Sequence, residues 1–101
     1  MEINIGNKTI TSTDFSNAET AWMIEDAILV LEYLKSKKKI VLGGDILTKE
    51  LEHNYDSWYY KVEPSQNFKY NVECSITLAL EYISNYMKTN GNAFYVVFVI
   101  E

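Results

Sequence analysis

Two stretches of the chain carry apolar residues at helical spacing. Met23, Ala27, Val30, Leu31 and Leu34 recur every three or four positions and share one stripe, with Glu25, Glu32 and Lys35 mostly off it. Ser16 followed by Glu19 reads as a capping box, in which each side chain satisfies the other's free backbone N–H. The first predicted helix therefore runs from about Ala18 to Ser36. Val72, Ile76, Ala79, Leu80, Ile83 and Met87 form a second stripe, with Glu73, Thr77, Glu81 and Lys88 off it. Asn90-Gly91 supplies its C-terminal stop.

The segments between read as strands. Ile40-Val41-Leu42-Gly43-Gly44-Asp45-Ile46-Leu47 is β-branched and short, with two glycines that weaken pairing and mark a bulge or a close approach. Thr48 to Asp56 is polar and reads as a loop, possessing at most one helical turn. Trp58, Tyr60 and Val62 alternate with Tyr59 and Lys61, a second strand. The run from Ala93 to Ile100 is apolar on both faces, as in an interior strand covered on both sides. At the N-terminus, Ile3 and Ile5 share a face before Gly6-Asn7, a hairpin signal, and the polar stretch Thr11 to Asp14 follows. Pro64 lies in a polar loop from Glu63 to Asn67, not at a domain boundary.

The expected fold is α+β, one domain over residues 1–101, in the order (β hairpin)-α-β-β-α-β. Two helices pack on one face of a mostly antiparallel sheet of three to four strands. The last strand docks beside the Ile40–Leu47 strand, and the N-terminal segment covers its free edge. The expected core holds Met23, Ala27, Val30, Leu31, Leu34, Ile76, Ala79, Leu80, Ile83, Phe94, Val96 and Phe98.

Composition narrows the function. Of 101 residues, 48% are hydrophobic and 23% charged, enough to bury a core. No apolar run approaches the roughly eighteen residues a membrane span needs. Met1-Glu2-Ile3-Asn4-Ile5 has no signal-peptide character, and a single cysteine, Cys74, builds no internal disulfide, so a cytosolic location is expected. The formal net charge is −5, and every basic residue is Lys. Arginine supplies the planar fork that binds phosphates and base edges, so its absence argues against nucleic-acid binding and phosphoryl transfer. Lys35 and Lys37-Lys38-Lys39 complement a helix C-terminus, or alternatively form a phosphate or membrane patch. An acidic surface suits a basic protein partner.

Groups able to do chemistry are few. His53 is the sole histidine and reads as a solvated loop residue rather than a general base or ligand. Cys74, in the first turn of the second predicted helix, reads as half-buried structure rather than nucleophile. Gly43-Gly44-Asp45 is neither a P-loop nor a dinucleotide fingerprint. Its glycines admit a close neighbour, with Asp45 bonding nearby loop donors, or the motif contacts a partner. No catalysis, metal or cofactor is expected. Tyr55, Trp58, Tyr59 and Tyr60 cluster with Asp45, Glu50, Glu52, Asp56 and Glu63. Aromatic anchors in an acidic rim compose a protein-binding surface, although Trp58 and Tyr60 fill the core if one strand face is buried.

Gly43-Gly44-Asp45 at the end of a strand that follows a helix, with Trp58 in the next strand, resembles the immunity protein 40 family. The likeness covers about Trp22 to Val62; the Lys run and the absence of Arg fall outside its pattern. The resemblance implies a small protein of a bacterial polymorphic toxin system, made beside a secreted toxin and neutralising it in the producing cell by direct contact. No catalytic residue follows from it. The surface expected to meet the toxin comprises Asp45, Glu50, Glu52, Tyr55, Asp56, Tyr59 and Glu63. Two other readings stay open. One is a non-catalytic adaptor or regulatory module of a phage or mobile element, separable by the neighbouring gene. The other is a small enzyme using Asp45 with His53 or Cys74, which an ordered substrate or metal site would favour.

Overall fold

The computed structural model describes residues 2–5, 8–15 and 19–101. Strands β1 (Glu2–Ile5) and β2 (Lys8–Thr11) form an antiparallel hairpin with Ile3 opposite Ile10. The turn expected at Gly6-Asn7 lies outside the described residues. Both isoleucines are buried in the main core, so the hairpin seals the side of the molecule next to the first helix. Next come β3 (Thr13–Phe15), β4 (Glu19–Met23), a 3-10 turn (Ile24–Asp26), α1 (Ala27–Ser36), β5 (Val41–Thr48), β6 (His53–Tyr59), α2 (Phe68–Asn90) and β7 (Phe94–Ile100). The second sheet has five strands in the order β3-β4-β7-β5-β6, every adjacent pair antiparallel. The fold is therefore α+β, and β5 lies between β6 and β7 as expected.

Several expectations change. The first helix begins at Ala27 and not near Ala18: Ser16 and Ala18 lie outside the described residues, while Glu19–Met23 is a strand. Trp22 pairs with Val96 and Met23 with Tyr95, so this segment covers the free edge of β7, the role expected of the N-terminal segment. Pairing satisfies an otherwise open row of backbone groups, which outweighs the helical spacing of Met23 with Ala27. Met23 consequently leaves the expected core and is 41% exposed. The sheet has five strands where three to four were expected, because β3 and β4 join it.

The other changes follow β5. Of the polar stretch Thr48 to Asp56 expected as a loop, His53 to Asp56 belong to β6, which ends at Tyr59. A tight turn closes it: the Thr48 hydroxyl oxygen accepts the N–H groups of Glu50 and Glu52, and Leu51 takes φ 64°. Helices also cover one sheet face only, so β7 is not covered on both sides; Val99 and Ile100 are exposed. Leu80, Phe94 and Phe98 are half-buried against the core rather than inside it.

The helix ends follow local chemistry. Lys38 takes φ 56° past α1, and Lys38 and Lys39 N–H bond to the Lys35 and Leu34 carbonyls, a Schellman closure beside a run of lysines that favours the helix C-terminal dipole. The Asn67 side chain caps α2 by accepting the Tyr70 N–H at 2.8 Å. Gly91, at φ 86°, ends it. Asn71, buried, uses both ends of its amide: Oδ1 accepts from Tyr60 Oη and Glu63 N, and Nδ2 donates to Glu63 O and Asn67 O. Ser75, also buried, accepts the Val41 N–H at 2.9 Å and fastens α2 to the start of β5.

Candidate functional site

The two glycines of β5 are explained by β6. A Cβ on Gly44 would lie 2.7 Å from Cζ3 of Trp58 and 2.7 Å from the Val97 carbonyl. A Cβ on Gly43 would collide with the Trp58 carbonyl, and Gly43 has φ 153°, where a side chain is strained. The motif thus lets Trp58 lie flat over β5. Trp58 is 5% exposed, stacks on Tyr82 at 4.9 Å and meets Phe98 edge-on at 6.1 Å. Its indole N–H has no hydrogen-bond partner among the described residues.

Directly opposed residues of antiparallel strands share a face. Trp58, Gly44, Phe98, Ile46 and Val96 point toward the helices. The opposite face carries Met23, Tyr95, Leu47 and His53 in one row, Val97, Asp45 and Ser57 in the next, and Val99, Gly43 and Tyr59 in a third. Ala21, Leu47 and Val97 form a small buried cluster there, with Leu51 and Tyr95 packed against it. Tyr59 is 83% exposed, and Met23, His53 and Val99 are also exposed. The Asp45 carboxylate is half-buried and bonds to no group among the described residues, contrary to the expected loop donors. A recess of about 310 Å³ is lined by Leu42, Gly43, Gly44, Asp45, Trp58, Tyr59 and Val99.

β6 is an edge strand, and its pairing with β5 slips between Asp45 and Leu47. Asn54, Tyr55 and Asp56 bulge there, with Tyr55 at φ 66° and 93% exposed. The Tyr86 hydroxyl accepts from Asn54 Nδ2 at 2.7 Å and donates to Asp56 Oδ2 at 2.8 Å. Burial first, and then the hydrogen bond to Asp56, push Tyr86 up to about 12, against a smaller lowering by the Asn54 contact. Burial and the Asp56 charge raise Tyr82 as well.

The structure disperses the seven residues expected to bind. Asp45 and Tyr59 share the open face; Glu50 and Glu52 project from the β5–β6 turn; Tyr55 and Asp56 occupy the free edge. Glu63 lies apart, before α2, where its carboxylate accepts the N–H and hydroxyl of Ser65 and is held below the usual carboxylate range. Asn54 and Tyr86 were missed: their partners are 32 and 30 residues apart, and no local pattern signals that contact. His53 opens β6 on the open face and is not a loop residue. Cys74 lies past the first turn of α2, not within it as expected. Among the described residues, no group of three His, Cys, Asp or Glu is placed to share a metal ion, and no helix is long and apolar enough to cross a membrane.

A glycine pair seating a tryptophan between helix layer and sheet, with the other sheet face open, defines a two-layer α+β scaffold. Residues 8–100 match the family described as Immunity protein 40, and the chain belongs to that family. The partner of an immunity protein is, in general terms, a toxin. A search of curated proteins and a search of solved structures each returned no match.

Proposed function

We propose that this protein neutralises a toxin domain by direct, non-catalytic contact in the cytosol of the cell that makes both. The contact surface is the β6 side of the sheet: Tyr55 and Tyr59 as anchors, Asp45 between them and the sheet centre, and Glu50, Glu52 and Asp56 as acidic surroundings, with Glu63 set apart from them before α2. The observation that carries this reading is the exposure of Tyr55 and Tyr59 on one edge strand, at 93% and 83%. Each offers a large ring with a polar tip, the residue type that supplies interface hot spots. The carboxylates would steer a basic toxin, and such outlying charges act mainly on the association rate.

Charge reversal at Glu50 and Glu52 tests this. Both carboxylates are exposed, so the variants should fold normally. Association with the purified toxin domain of the adjacent gene should slow, and the wild-type rate should lose most of its advantage at high salt. Unchanged association at low salt would remove the acidic surface from the reading.

A further inference from the structure

The β6 edge leaves regular strand geometry at Tyr55, whose φ of 66° is one that residues with a Cβ disfavour. Nothing in the packing of Tyr55 itself explains this, because the ring is 93% exposed. The hold comes from its neighbours. Asn54 Oδ1 accepts the Asp56 N–H at 3.2 Å, closing a turn across Tyr55. The Tyr86 hydroxyl then bonds both residues, accepting a hydrogen bond from Asn54 Nδ2 and donating one to Asp56 Oδ2. One atom on α2 thus fixes both flanks of the bulge. Tyr86 is itself seated, stacked against Tyr82 at 6.1 Å and edge-on to Phe94 at 5.2 Å.

Backbone strain maintained by surrounding contacts at an exposed side chain points to function. Resting on the surface assignment above, we infer that Tyr86 is a positioning residue for toxin binding, its hydroxyl holding the bulge so that Tyr55 enters an apolar socket rimmed by basic groups. The apolar socket suits the bare ring, and the basic rim suits Asp56 beside it with Glu50 and Glu52 at the adjoining turn. Holding the bulge before encounter removes an ordering cost from binding.

A double-mutant cycle with Tyr86→Phe and Tyr55→Ala tests this, using the purified toxin domain of the adjacent gene as probe. Phenylalanine keeps the ring against Tyr82 and Phe94 and deletes only the hydroxyl. Tyr86→Phe should raise Kd about tenfold, mainly through faster dissociation. In the Tyr55→Ala background the same change should move Kd less than about twofold, because the two residues act as one unit. In the free protein, Tyr86→Phe should speed amide exchange at Asp56 while leaving the denaturation midpoint near wild type. If Tyr55→Ala alone leaves Kd unchanged, the surface assignment fails and this inference with it. If Tyr55→Ala weakens binding but Tyr86→Phe weakens both backgrounds equally, the surface stands and the positioning role is overturned. Unaltered Asp56 exchange in Tyr86→Phe would overturn it too.

Discussion

The ring of Trp58 fills the space above Gly44 that a side chain at that position would need. This contact joins the two central features of the sequence motif and sets how closely β6 lies on β5. Gly44→Ala forces a methyl against the Trp58 ring and the Val97 carbonyl, and should cost about 1–3 kcal/mol through overpacking. Gly43→Ala meets backbone and an unfavourable φ, so it should cost at least as much. Urea denaturation checks both, and a midpoint equal to wild type in either variant contradicts the packing described.

Core burial predicts a contrast within α2. Ile83 is fully buried, whereas Leu80 is half-buried. Ile83→Ala should cost about 2–5 kcal/mol. Leu80→Ala should cost clearly less, since part of its surface is already in water. Equal losses in denaturant unfolding would place Leu80 inside the core after all.

Ser75 offers a polar counterpart. Its hydroxyl accepts a hydrogen bond from the Val41 N–H and donates one to the Val72 carbonyl. Ser75→Ala strands a buried N–H and should cost about 1–3 kcal/mol. The Val41 amide should also exchange faster than its neighbours, which native-state hydrogen exchange reads directly.

These contacts show which parts of the fold were legible. α2, β5 and β7 follow from apolar period and from the Gly-Gly pair, because each buries enough surface for its pattern to dominate. β3 and β4 do not: they are short, and they exist because β7 offers an edge to pair with. Met23 shows the cost of reading period alone, since its spacing to Ala27 is helical while its pairing to Tyr95 is not. The composition of the aromatic, acidic region was readable, with Trp58 and Tyr60 inward and Tyr59 outward, but its further division between open face, turn and free edge was not. That division depends on the Tyr55 bulge, which local sequence does not encode without Tyr86.

The Tyr86 hydroxyl also carries a pH dependence. Its pKa is pushed above the ordinary tyrosine range to about 12, by burial and then by Asp56 on β6, with Tyr82 beside it on α2. A raised folded pKa favours the protonated, neutral form. Its stabilising share is therefore complete below about pH 10 and is lost as pH rises through about 12. Alkaline titration followed by tyrosinate absorbance should show a late phase that shrinks in Tyr86→Phe, the remainder belonging to the other raised hydroxyls, Tyr82 among them. A wild-type curve that finishes near pH 10 would contradict the clamp.

The central claim is that Tyr55 and Tyr59 anchor the toxin. The most direct measurement is the Kd of Tyr55→Ala, Tyr59→Ala and the double variant for the purified toxin domain of the adjacent gene, with folding verified by circular dichroism. Hot-spot truncations cost about 2 kcal/mol or more, so each single variant should weaken binding roughly thirtyfold and the double variant further. A double variant that folds normally and binds within about twofold of wild type would place the toxin contact elsewhere on the molecule.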